Sequence, residues 1–310
     1  MIVSNISEGE LRRRLNDEGL RIRTGPVITN LRSSLAEVRQ GVRLHYANHA
    51  VETPDGFADF HISIERPRTL RRWVQPQVVF RFDDMAPFAP LPGDQGFPML
   101  EWGMNWCVSS FCHQYLCIHS AVVEREGGAL MLPAPSGSGK STLCAGLTFR
   151  GWRLLSDELA LIDRRTAAIV PLPRPISLKN ASIDVIRRFA PDASFGPVVT
   201  ETTKGSVAHV RPPDEGVRRS HDTAELRWIV LPRYLAGADA TLMPLPKARA
   251  FMHLVENAFN YNVHGRVGFD LLAATVDRCE CHEFVYGDLE EATDLLNRLP
   301  LAASGGAHAA

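Results

Sequence analysis

The sequence predicts an α/β protein: a P-loop domain preceded by a small N-terminal α/β domain. Three observations carry this. A phosphate-loop sequence, "PAPSGSGKST" at 133–142, stands between a short apolar run and a helical pattern. The first 90 or so residues mix two capped helices with alternating strands. A Pro- and Gly-dense stretch, "APFAPLPGDQGFP" at 86–98, separates the two parts. The expected division is 1–95, 96–300 and a flexible tail at 301–310.

In the first part, Ser7 and Glu10 form a capping box for a short basic helix, and "LRIRTGPVITNL" reads as extended. Ser34 with Glu37 reads as the cap of a second helix lined by Leu35, Val38 and Val42. "FADFHISIER" and "QVVFRFDD" alternate as half-buried strands do. Arg66, Arg68, Arg71 and Arg72 cluster around Trp73, as a solvated hairpin or as a partner-docking patch. The second part opens on a helix in which Leu100, Met104, Cys107, Val108, Phe111 and Tyr115 share helical spacing. Trp102 and Trp106 add a second apolar side and read as core.

The bulk numbers narrow the function classes. The 310 residues are 45% hydrophobic and 22% charged, which is ordinary for a soluble globular protein. A formal net charge of −1 gives no global field toward nucleic acid or an acidic membrane. There is no spanning run and no export signal, so a cytoplasmic protein is expected. The six cysteines read as reduced and packed, with "CECH" at 279–282 a poor match to structural zinc spacing.

The chemistry concentrates after the apolar run "ALML". Gly137 and Gly139 let backbone N–H groups turn inward around phosphate oxygens, and Ser136 and Ser138 complete the loop. The N-terminus of the helix "STLCAGLTFR" adds partial positive charge. Lys140 supplies a point charge to the β- and γ-phosphates, Ser141 a hydroxyl for Mg²⁺, and Thr142 follows it. Ala134 stands where the usual motif begins with Gly and needs only to be small. Asp157 and Glu158 come 17 and 18 positions after Lys140. One carboxylate suits Mg²⁺; the other can accept the proton of an attacking hydroxyl. The next stretch, "LALIDRRTAAIVPLPRPISL", reads as a β-hairpin with "DRRT" at its tip. Lys179 and Arg174 are candidates to neutralise a transferring phosphate. Lys204, His209, Arg211 and Arg233 are further candidates for the site.

Four features in order resemble the HPr kinase family: "IHSAVV" with His119 on a strand, "SGSGKS", "RGWRLLSDE", and more loosely "ETTKGSVAHV". The segments "PLPGDQGFPMLEWGMNWC", "PRPISLKNASIDVIR", "TKGSVAHVRPP" and "NAFNYNVHG" look like the related group called HprK-related kinase A, over nearly the whole chain. The resemblance implies a P-loop kinase core of the HPr kinase/PEP carboxykinase type, with ATP and Mg²⁺ as cofactors. It also implies a possible homo-oligomer and a PqqD-type peptide-binding chaperone as neighbour. His119 would lie near the γ-phosphate. Thr142 departs from the acidic residue of HPr kinases and Glu158 from their Asp. The elements that grip HPr are not recognisable, so HPr is not the expected substrate. The expected activity is transfer of the γ-phosphate to a hydroxyl, on Ser or Thr of a peptide or protein. The alternatives are a small-molecule acceptor, or a nucleotide-gated binding module without transfer. On the kinase reading Asp157, Lys140 and His119 are catalytic. Ser136 to Thr142, Lys179 and Lys204 hold nucleotide, and Ser141, Asp157 and Glu158 hold metal.

Overall fold

The Ser7 hydroxyl accepts a hydrogen bond from Glu10 N (3.2 Å) and opens α1 (Glu8–Asn16), as the capping box predicts. The computed structural model describes residues 1–67, 76–135 and 137–300. An antiparallel hairpin follows, β1 (Leu20–Thr24) and β2 (Val27–Arg32). The next helix, α2 (Ala36–His45), starts differently from the expected Ser34–Glu37 box. Its N-cap residue is Leu35, with no side-chain cap bond. Ser33 takes over: its hydroxyl accepts from Leu35 N (3.2 Å) and donates to Ile64 O (2.7 Å). That ties the helix start to β3 (Phe60–Glu65) and lets Leu35 join the core with Val38 and Val42. β3 runs parallel to β2, and β4 (Gln77–Phe82) pairs antiparallel with β3. Of the basic cluster, Arg68, Arg71, Arg72 and Trp73 lie outside the described residues, as does the tail 301–310.

The Pro-rich stretch supplies β5 (Leu91–Pro92), the edge of a five-stranded sheet ordered β1-β2-β3-β4-β5. It then enters α3 (Gly96–Phe111). Tyr115, which helical spacing assigned to this helix, instead begins β6 (Tyr115–Arg125). Asn260 holds it extended, donating from Nδ2 to Tyr115 O (2.9 Å) and accepting from Cys117 N (2.9 Å). One apolar cluster runs from the N-terminal sheet through Met104 and Val108 to Cys117 and Leu161, so the chain at 95–96 crosses a shared core.

The chain continues through β7 (Gly128–Pro133), α4 (Lys140–Phe149), β8 (Arg153–Ser156), β9 (Leu159–Asp163) and β10 (Ile169–Val170). A smaller antiparallel sheet holds β11 (Ile176–Lys179), β12 (Val199–Thr202) and β13 (Gly205–Val210), ordered β11-β13-β12, with α5 (Ala181–Phe189) inserted. After α6 (Asp214–Arg218) come β14 (Glu225–Tyr234), β15 (Thr241–Pro244), α7 (Lys247–Glu256), α8 (Tyr261–Arg278), β16 (Glu280–Tyr286) and α9 (Leu289–Leu296). The main sheet is ordered β10-β9-β6-β7-β14-β16-β15, and β8 also pairs with β6. The strands β7, β14 and β16 are parallel to one another, while β6 is antiparallel to β7. The "DRRT" hairpin tip is as expected: Asp163 Oδ1 accepts from Arg165 N and Thr166 N, both at 2.8 Å. The molecule is thus a mixed α/β protein. Among the described residues no helix is long and apolar enough to cross a membrane.

Side-chain alternation explains the layering. On β7, Leu130 and Leu132 face Leu143 and Leu147 of α4, while Ala129 and Met131 face Leu254 of α7 and Leu272 of α8. The odd-numbered face of β6 is more unusual. Cys117 belongs to the N-terminal core, and Ala121 and Val123 belong to the core under α4. His119 lies between them, at the seam of two cores. All six cysteines are free and buried, and burial pushes the Cys279 thiol up to about 12, so it is a packed, unreactive group.

Candidate active site

The buried strand β7 delivers the chain to the glycine loop 134–139, and Ala134 is buried there at 4% exposure. Gly137 (φ 88°) and Gly139 (φ 90°) both adopt the left-handed region. At Gly139 the requirement is double, because a Cβ there would overlap the Tyr286 hydroxyl. That hydroxyl donates to Gly139 O (3.0 Å), and Tyr234 N donates to Ser138 O (3.0 Å). The loop is therefore pinned by the ends of β14 and β16. The first turn of α4 has no side-chain cap, so its N–H groups are left for a ligand. Ser141 and Thr142 sit half-buried on that turn. The Ser138 hydroxyl is buried without a partner. Ser136 lies outside the described residues.

Lys140, the first residue of α4, reaches back across the sheet to β6. Its Nζ lies 2.7 Å from His119 Nε2, and the same nitrogen is 3.2 Å from Glu158 Oε2. Burial lowers the proton affinity of Lys140, and Glu158 and Asp157 partly restore it. The tight link between β8 and β9 carries Asp157 and Glu158. Ser156 Oγ accepts from Leu159 N (3.1 Å), and Glu158 O accepts from Ser120 N (3.2 Å), which fixes the turn.

The two carboxylates face different surroundings. Asp157 Oδ2 accepts from Ser177 N (3.0 Å), but Oδ1 is buried without a partner. Burial first, and then the neighbouring Glu158 charge, push its carboxyl up. Glu158 is also pushed up by burial, but the His119 hydrogen bond and the Lys140 and Lys179 charges outweigh this and hold it well below the usual range. Lys179 Nζ is 3.8 Å from Glu158 Oε1. Burial thus favours the protonated form at Asp157, while the surrounding cations favour an ionised Glu158.

Fit to a divalent cation follows from the donor set. Ser141, Asp157 and Glu158 offer hard oxygen atoms, and the unsatisfied Asp157 Oδ1 is the atom a cation or its water would complete. Among the described residues no group of three His, Cys, Asp or Glu side chains could hold a metal unaided. A cation here would need phosphate oxygens as further ligands, as Mg²⁺ delivered with a nucleotide has.

Some sequence candidates go elsewhere. Arg174 is buried against α3, with Nη1 3.6 Å from Glu101 Oε2 and Nη2 bonded to Asn105. Arg211 pairs with Asp214 (2.9 Å), and Arg233 is exposed at the end of β14. Lys204, in the turn between β12 and β13, sits with Nζ 5.3 Å from the Trp102 ring centroid. Asn260 and His264 serve the backbone of β6. Sequence reasoning missed Tyr234, Tyr286 and Ser177, whose roles arise only from distant chain crossing. It also read Trp102 as core, whereas Trp102 lines a cleft with Glu101, Asp157, Ser177 and His209. No protein-family model matches the chain, and no curated protein matches it.

Proposed function

We propose that this protein is an ATP- and Mg²⁺-dependent kinase with a P-loop core of the HPr kinase/PEP carboxykinase type, transferring the γ-phosphate to a hydroxyl. The observation that carries the reading is the convergence of Lys140, His119, Asp157 and Glu158 beside an uncapped helix N-terminus and two left-handed glycines. A charge-neutralising cluster next to a carboxylate of raised proton affinity is what phosphoryl transfer requires, since that chemistry is mostly positioning and charge stabilisation.

The phosphate loop and first turn of α4 hold the triphosphate through backbone N–H groups. Lys140 leaves His119 for the phosphate oxygens, and Lys179 approaches from β11. Ser141, Asp157 and Glu158 would hold the cation through their oxygen atoms. Bound Mg²⁺ offsets the negative charge of the phosphates. Asp157 takes the proton of the acceptor hydroxyl. The acceptor oxygen forms a bond to the γ-phosphorus as the bond from that phosphorus to the β–γ bridging oxygen breaks, and ADP leaves with the electron pair. The acceptor is a hydroxyl of a peptide or of a small molecule, in a cytoplasmic setting where ATP is available.

The test is single-turnover incubation of the full chain with Mg²⁺ and γ-labelled ATP, together with peptide and metabolite pools. A phosphorylated product that Lys140→Ala fails to make supports the kinase. ATP binding without any phosphorylated product across those pools favours the nucleotide-gated module.

A further inference from the structure

The strands β7, β14 and β16 run parallel, and their carboxyl ends meet at the glycine loop. The carboxyl ends of parallel strands are where α/β sheets bind ligands. β7 and β14 stay paired as far as Met131 and Ile229, after which β7 turns into the loop. β14 and β16 run on together to the pair Tyr234 and Tyr286. Alternation puts both tyrosines on the face that packs against α4, since Trp228, Val230, Phe284 and Tyr286 share a core with Leu143 and Leu147.

The two rings differ in what they do there. Tyr286 is buried, and its hydroxyl is committed to Gly139 O (3.0 Å). Tyr234 remains 52% exposed, although its N–H is bonded to Ser138 O (3.0 Å) and its ring meets Tyr286 edge-on at 5.7 Å. Its Cβ lies 3.0 Å from the point where a Cβ on Gly139 would stand. An exposed phenol ring therefore stands directly beside the uncapped first turn of α4, fixed by its own backbone and by one edge contact. The sheet order gives the loop two flanks. The Asp157–Glu158 turn lies on the β6 side of β7, and Tyr234 lies on the β14 side.

We propose that Tyr234 is the stacking platform for the nucleobase of the bound nucleotide. The inference rests on the kinase reading above and adds a place for the half of the ligand that the glycine loop does not hold. A flat, fixed ring offers its π-face to any base, and stacking of this kind needs no partner at the base edge. With the base on the β14 flank, the far end of the triphosphate is directed to the β6 flank, where Lys140 and the two carboxylates lie. Tyr234 makes and breaks no bond in this role; it contributes affinity and sets the direction of the nucleotide along the loop.

The test uses the full chain and compares ATP with ribose triphosphate, the same ligand without its base. Binding of each is measured by calorimetry in the presence of Mg²⁺. The parent should bind ATP about tenfold more tightly than ribose triphosphate, as expected for one stacked base. Tyr234→Leu keeps apolar bulk against Tyr286 but removes the π-face, so it should lose that preference while its affinity for ribose triphosphate stays unchanged. Tyr234→Phe should keep the preference. Unchanged binding of ribose triphosphate also shows that the loop is intact in the leucine variant. Equal binding of the two ligands by the parent, an ATP preference that survives Tyr234→Leu, or an equal loss of both ligands in that variant overturns the stacking site and leaves the kinase reading standing. A folded parent that binds neither ligand overturns both.

Discussion

His119 Nε2 lies 2.7 Å from Lys140 Nζ and 3.2 Å from Glu158 Oε2, so one ring nitrogen faces both a cation and a carboxylate. It can serve only one at a time. It accepts from the Lys140 ammonium when the ring proton is on Nδ1, and it donates to Glu158 when the proton is on Nε2. Lys140 thus meets β6 through His119, and on the kinase reading a bound phosphate would compete with that ring for it.

That contact predicts unequal effects at the two residues. On the kinase reading, Lys140→Ala removes a charge from the transferring phosphate and should lower kcat by about 10²–10³-fold. His119→Ala removes only the resting partner and should cost about tenfold or less, with ATP affinity unchanged or improved. Steady-state kinetics with calorimetric ATP binding decide this. A His119→Ala loss as large as that of Lys140→Ala would assign His119 to the chemistry itself.

The adjacent carboxylates should differ as sharply. On the kinase reading Asp157, pushed up by burial and by Glu158, is the proposed proton acceptor, and Asp157→Asn should cost about 10²–10⁴-fold in the transfer step. Glu158→Gln leaves Lys140 and Lys179 without their carboxylate and should mainly raise the Mg²⁺ requirement. Quench-flow with labelled ATP separates the transfer step from cation dependence. Retention of transfer by Asp157→Asn, with loss in Lys140→Ala, would sink Asp157 as the base.

The two loop glycines provide an internal comparison. Gly137→Ala meets no atom within 4 Å and suffers only the left-handed backbone, at about 1–2 kcal/mol. Gly139→Ala suffers the same strain, collides with the Tyr286 hydroxyl and comes to 3.0 Å from Tyr234 Cβ. It should therefore be the less stable of the two and lose ATP binding, and Tyr286→Phe should recover part of the loss. Urea unfolding of the single and double variants reads the difference. Equal stability of the two alanine variants would contradict the pinning of the loop by Tyr286.

What was legible in the sequence was local. The Ser7 cap, the period-2 strands, the "DRRT" turn and the glycine turn that opens α4 each depend on residues a few positions apart. The spacing of Asp157 and Glu158 from Lys140 was also readable, because a single strand returns the chain to the loop. The illegible contacts join distant segments. Tyr286 bonds Gly139 across 147 positions, and Asn260 redirects Tyr115 from helix to strand across 145. The Ser34 cap failed for a related reason, since the neighbouring Ser33 is pulled onto Ile64 in β3. Arg174 looked available to phosphate because nothing local reveals its partner Glu101, which is 73 positions away.

A last consequence concerns acid stability. His45, His49 and His209 are buried where the N-terminal unit meets the segment behind the cleft: His45 stacks on Phe97, His49 bonds Pro173 O (2.8 Å), and His209 packs edge-on to Phe97. Burial lowers His45 and His49 to about 4, and His209 to about 3, with Arg211 adding to the effect at His45 and His45 at His209. Each is therefore neutral in the folded chain, while the unfolded chain takes up a proton below about pH 6.5. The unfolded state binds more protons throughout that window, so folding stability falls as pH drops from about 6.5 toward 4, and toward 3 for His209. Between pH 7.5 and 5 the loss should be about 2 kcal/mol per histidine, on the scale of roughly 1.4 kcal/mol per pH unit of differential protonation. His45→Phe, which keeps an aromatic ring against Phe97, should remove about one third of this histidine contribution. Urea denaturation midpoints at the two pH values measure it. An identical pH dependence in His45→Phe and the parent would show that His45 is not held neutral by the fold.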